Sequence, residues 1–176
     1  MRGKCCAGHT LLTESRERTV TDLIELSTRF IDTGILDEPA NRIIHRLSEV
    51  AQGVAVVEAF SHSVLFDVGE GLLAFDASGG MGGDRVVKEI RTWSSKRFDT
   101  LVYTHGHLDH VGGSGYFLAD AERRGDSPPR VAAHENVSAR FDRYRLTEGY
   151  NLAINDRQFR GFQRHGYAIG GDRSLL

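Results

Sequence analysis

The chain has 176 residues, 40% of them apolar and 26% charged, and its 22 Lys and Arg against 24 Asp and Glu leave a net charge of −2. That length holds one domain, or part of one, with enough apolar residues for a sizeable core. The near-balance of charge excludes an overall pull towards nucleic acid or an anionic membrane, and no run approaches the ~18 apolar residues of a membrane span.

The charge is uneven. Arg130 to Leu176 carries eight Arg, no Lys and five acids, a net +3. Guanidinium groups suit planar recognition of sulfate, phosphate or carboxylate, although solvated helix faces account for the same composition. Cys5 and Cys6 are adjacent and near one end, so they cannot frame a long-range disulfide. With no secretory pattern in the first residues, a reducing, cytoplasmic location is the expectation.

Residues 1–18 are polar and expected to be a flexible N-terminus, with one domain over 19–176. Val20, Leu23, Ile24, Phe30 and Ile31 recur at helical spacing, which Gly34 and Pro39 interrupt. Asn41 to Val50 is ambiguous: Ile43, Ile44, Leu47 and Val50 fit a short helix. "GVAVVEAF" (53–60), "SVLFDVG" (63–69) and "GLLAFDAS" (71–78) are short, apolar and partly β-branched, and predict a three-strand meander with tight turns. "GGMGGD" (79–84) is a loop, with Asp84 a candidate N-cap for a helix marked by Val86, Ile90 and Trp93. "TLVYT" (100–104) predicts a buried strand, "YFLADAERR" (116–124) a helix, "DSPP" a turn, "RVAAH" (130–134) a strand, and Val137, Phe141 and Tyr144 a further helix. The order is a β-meander followed by αβαβα, an α/β domain whose sheet starts antiparallel and continues through crossover helices.

Between the strand at 100–104 and the helix at 116–124 lies "THGHLDHVGG", which holds three of the eight histidines within six positions. A loop at the carboxyl end of a strand is where open α/β sheets place their sites. Alternate residues point the same way, so His105 and His107 can converge on one centre while Asp109 and His110 face a second. Imidazole and carboxylate are ligands of zinc, iron and manganese, and Gly112 and Gly113 let the backbone pass close by. Such a cluster is more than a hydrogen-bonded polar loop needs.

"THGHLDHVGG" resembles the signature loop of the metallo-β-lactamase fold superfamily. "ANRIIHRLSEVAQGVAVVEAFSHSVLFDVGEGLLAFDAS", "TLVYTHGHLDHVGGSGYFLADAERRG" and "RVAAHENVSARFDRYRLTEGYNLAINDRQF" are similar to its alkyl and aryl sulfatase-like metallohydrolases, over roughly residues 40–165. The resemblance implies an αββα sandwich of hydrolases with one or two metal ions, zinc or alternatively iron or manganese. It implies His105 and His107 as ligands of the first metal and Asp109 and His110 as ligands of the second. Asp109 would also be catalytic, orienting the bridging hydroxide or taking its proton. The implied reaction is attack of a metal-activated hydroxide on an ester-type bond of a small molecule, an anionic sulfate ester being the first expectation. Asp76, at the end of "LLAFD", is a candidate support for the metal loop or a turn-capping residue.

The pattern is also incomplete. The family completes its metals with an acid or histidine, a bridging acid and a last histidine from further along, whereas only His134 and His165 follow His110 here. Neither matches a ligand motif, and Asp156 and Asp172 lack supporting context. The expectation is the first sheet and its helices alone, the N-terminal half of a longer enzyme, with weakened or absent activity. The alternative is a non-catalytic fragment that self-associates as a homodimer or takes its second sheet from a partner chain. Arginines and aromatics alternate in "FDRYRLTEGYN", but a helix face accounts for them, and no nucleic-acid or membrane partner is expected. Arg143 and Arg145 are candidates for contacting a sulfate group.

Overall fold

A computed structural model describes residues 23–159. The N-terminal segment 1–18, Cys5, Cys6, His165 and Asp172 lie outside the described residues. Helix α1 (Leu23–Thr33) precedes four strands: β1 (Leu47–Ala51), β2 (Val54–Val57), β3 (Ser63–Asp67) and β4 (Gly71–Phe75). Helix α2 (Gly83–Trp93) leads to β5 (Arg97–Val102), the short helix α3 (Leu108–Val111), α4 (Ser114–Arg124), β6 (Arg130–Ala132), α5 (Asn136–Leu146) and α6 (Glu148–Phe159). No helix among these residues is long and apolar enough to cross a membrane.

The six strands form one sheet in sequence order. β1 to β4 pair antiparallel, and β4–β5 and β5–β6 pair parallel. This is the α/β class expected, with the change of direction at the crossover through α2. The meander follows from its turns. Gly53, at φ +73, takes a backbone conformation costly for other residues, and β2 then runs back along β1 with Leu47 opposite Val57.

Alternation along the strands sets two faces. Ala55, Val57, Leu65, Leu72, Ala74, Phe98 and Leu101 are buried on one face, where Val86, Val87 and Ile90 of α2 and Phe117 of α4 complete the core. Phe98 and Phe117 lie with ring centroids 4.7 Å apart. Arg91 of α2 stacks 4.0 Å above the Phe98 ring and holds Asp120 of α4 through Nε at 2.8 Å and Nη2 at 2.6 Å. That pair fixes α2 against α4. The other face presents Val54, Val56, Val64, Phe66, Leu73, Phe75 and Val102, all only partly buried.

Three elements differ from the sequence expectation. Residues 41–46 are not helical, and the segment continues into β1, with Ile43 and Ile44 49% and 43% exposed. The backbone pairing of His45 N to Glu58 O (2.8 Å) and Glu58 N to Arg46 O (3.0 Å) extends the sheet and outweighs helical spacing. The N-cap of α2 is Gly82, not Asp84, because Gly82 and Gly83 already donate to the Gly79 carbonyl. Asp84 sits in the first turn, 3.3 Å from Lys88, where its charge favours the helix dipole. Helix α6 was not expected, its apolar residues being too irregular to show a stripe.

Candidate metal centre

β4 and β5 are parallel neighbours, so their carboxyl ends lie side by side. Asp76 follows β4 and Thr104 to His110 follow β5. The backbone ties the two loops: Asp76 N donates to Val102 O (2.9 Å), Ala77 N to His110 O (2.7 Å), and Gly113 N to Ser78 O (2.9 Å). Their approach requires glycine. A Cβ on Gly113 would run into the Ala77 carbonyl oxygen, and one on Gly83 would come within 2.6 Å of the Tyr116 ring. Asp76 and Ser78 both have φ +60, left-handed conformations that β-carbons disfavour and that cluster at functional sites.

Asp76 is buried, and its carboxylate organises the loop. Oδ1 accepts from Thr104 N at 2.8 Å, and Oδ2 accepts from the Thr104 hydroxyl at 2.7 Å and lies 2.7 Å from His110 Nδ1. A carboxylate only accepts, so His110 carries a proton on Nδ1, and in the neutral ring the lone pair is on Nε2. The Thr104 hydroxyl spends its one proton on Asp76, so at 3.0 Å it can only accept from His105 Nδ1. His105 is thereby held in the same tautomer, with Nε2 available. One carboxylate sets two imidazoles.

The three rings form one cluster rather than two separate pairs. His105 lies 4.4 Å from His107 and 4.1 Å from His110, centroid to centroid. Asp109 Oδ2 is 3.5 Å from His110 Nε2 and accepts from Ser61 at 2.7 Å, which fixes the carboxylate beside that nitrogen. His107 is held below the ordinary histidine range, first by partial desolvation, then by the neighbouring His105 and Arg140 charges, with Asp109 pulling the other way. The shift favours the neutral ring, the form that binds metal.

Imidazoles that keep Nε2 free of protein partners in their neutral form, beside a carboxylate, fit a divalent ion of the zinc, iron or manganese kind in donor chemistry. As the side chains stand, no group of three or more His, Cys, Asp or Glu among the described residues is arranged to hold a metal ion. His134 is remote from this role: its Nδ1 accepts from the Asn136 backbone N–H at 3.1 Å and caps the entry to α5. Arg143 and Arg145 are exposed, and Arg145 pairs with Asp142 at 2.6 Å.

The model for the metallo-beta-lactamase superfamily matches residues 56–148, which contain every one of these side chains. The chain belongs to that superfamily. Metallo-β-lactamase-like folds recur among solved structures. A Cronobacter sakazakii metallo-β-lactamase with a HARLDQ motif is 21% identical at a TM-score of 0.48, over 58% of this chain and 38% of its own. The sec-alkylsulfatase Pisa1 from Pseudomonas sp. is 21% identical at 0.40, over 51% of this chain and 14% of its own. The metallo-β-lactamase GOB-18 from Elizabethkingia meningoseptica is 17% identical at 0.40, over 50% and 36%. The chain thus spans well under half the length of these proteins. No curated protein matches it.

Ser61 and Thr104 were not singled out from sequence, and Arg140 only as one of the arginines that alternate with the aromatics. Thr104 and Arg140 had a local signal: one adjoins the histidine cluster, and the other shares the Val137, Phe141 and Tyr144 stripe. Ser61 had none, since it reaches Asp109 only because the β2–β3 turn comes to the same end of the sheet.

Proposed function

We propose that the loop after β5 is the metal-binding part of a metallohydrolase centre, with His105, His107, Asp109 and His110 holding one or two divalent ions, zinc foremost. The observation that carries this reading is the shared anchoring of the Nδ1 atoms of His105 and His110 on Asp76, directly and through Thr104, which leaves both Nε2 atoms for a metal. A bound divalent ion would supply Lewis-acid polarisation and a water acidified to near neutral pH. The chain's own residues prepare for it. Asp76 and Thr104 set the tautomers, desolvation keeps His107 neutral, and Ser61 orients Asp109, the group placed to hold or accept a proton. The substrate class is an ester-type bond in a small molecule, with a sulfate ester as the first choice. Shared between two ions, the loop offers only two side chains to each, so zinc binding by this chain is weaker than at a complete site.

The test is zinc titration of the purified chain and of His105→Ala and His107→Ala, followed by hydrolysis of aryl sulfate and aryl acetate. Wild type binding zinc at least about tenfold more tightly than either variant supports the reading, at the scale expected for a lost ligand or its support. Equal binding by all three would overturn it.

The apolar second face of the sheet favours another reading, in which the chain associates through Val56, Val64, Phe66, Leu73 and Phe75 with a second copy or a partner. These residues occupy adjacent register positions on three strands.

A further inference from the structure

Helix α5 lies directly against the metal loop. Val137 and Arg140, one turn apart, touch the backbone at Gly106, between His105 and His107. A Cβ there would stand 3.0 Å from Arg140 Cβ, 3.1 Å from Arg140 Cγ and 3.4 Å from Val137 Cα. Arg140 therefore projects from the inward side of α5 next to the histidine cluster, and its charge is close enough to act on His107.

Its surroundings do not account for a cation. Two other part-buried arginines each grip a buried carboxylate: Arg42 holds Glu58 at 2.7 Å, and Arg91 holds Asp120 at 2.6 Å. Among the described residues Arg140 pairs with no carboxylate. Its guanidinium lies 4.7 Å from the Tyr144 ring centroid, with one long hydrogen bond of 3.3 Å from Nη2 to the Tyr144 hydroxyl. Its Nε is buried without an acceptor. A half-buried guanidinium whose buried Nε lacks an acceptor is costly unless an anion joins the group. Packing of its stem against Gly106 and of its plane against Tyr144 preorganises the fork, which lowers the ordering cost of binding an oxyanion.

We propose that Arg140, with the Tyr144 hydroxyl beside it, is the specificity-determining contact for an oxyanion group of the substrate, sulfate or a group of like shape and charge. This rests on the metallohydrolase reading for the location of the substrate, and on α5 alone for the anion. Arg143 and Arg145, one turn on and exposed, take no part.

The experiment is calorimetric titration of inorganic sulfate, with matched chloride as control, into the zinc-loaded and the metal-free chain. Variants are Arg140→Met, which keeps the stem over Gly106, and Arg140→Lys, which keeps the charge without the fork. The expected result is sulfate binding about tenfold or more weaker in Arg140→Met, partly recovered in Arg140→Lys, with zinc binding retained in both. Equal sulfate affinity in wild type and Arg140→Met overturns the proposal, as does absence of sulfate binding by wild type. Sulfate bound equally by Arg140→Ala, should the Met variant unfold, overturns it as well. Loss of zinc dependence on His105 would instead overturn the metallohydrolase reading, and the metal-free titration still decides Arg140.

Discussion

Asp76 carries more of the site than any one ligand. It accepts from Thr104 twice and from His110, and through Thr104 it governs His105. Asp76→Ala should therefore weaken zinc binding about 10- to 100-fold with all four candidate ligands intact, measured by competition with a chelating dye. Unchanged affinity would show that the tautomers are set some other way. His107 titrates differently. Its pKa lies below the ordinary value of 6.5 in the folded chain, so the unfolded chain takes up the proton first as pH falls. The stability contribution of the neutral ring is complete above about pH 6.5 and is lost as pH drops from there through the depressed folded value. Proton-detected titration of the metal-free chain should find the His107 midpoint below 6.5, and a midpoint at or above 6.5 would contradict this. The four ligand candidates were legible in sequence because they are contiguous. The residues that aim them were harder to see: Asp76 is 34 positions from His110 and Ser61 is 48 from Asp109.

Elements meet at the site through small backbones and one ion pair. Gly113 touches Ala77, and Gly83 packs against Gly113 and Tyr116, so the loop after β4 and the loop after β5 share one surface. Gly113→Ala would force them apart and should cost about 3 kcal/mol or more in chemical denaturation, with weaker zinc binding. Breaking the α2–α4 tie with Arg91→Ala leaves Asp120, 8% exposed, without its main partner and should cost about 3 kcal/mol, while zinc affinity holds. The meander was readable from "SH" and "EG" between apolar runs, and α4 and α5 from their stripes. β1 was not, because its register comes from pairing with β2 and not from its own pattern. The helical spacing of Ile43 and Ile44 belongs to a segment that runs along the sheet edge instead.

At the scale of the molecule, one face of the sheet is a core and the other is an apolar surface only partly covered. Burial alternates along β2, β3 and β4 in the structure, whereas both faces of these strands are apolar in sequence, so the two-layer expectation came from the family resemblance. The described chain should associate as concentration rises, detected by sedimentation velocity, and Phe66→Lys with Phe75→Lys should restore a monomer without loss of zinc. A wild-type chain monomeric at all concentrations would remove the association reading and leave the metal site untouched. What bears on that site most directly is the identity of the atoms around zinc. X-ray absorption of the zinc-loaded chain should show nitrogen and oxygen neighbours with imidazole scattering from two or more histidines, reduced in His107→Ala. A shell of sulfur from Cys5 and Cys6, or no imidazole signal, would contradict the account.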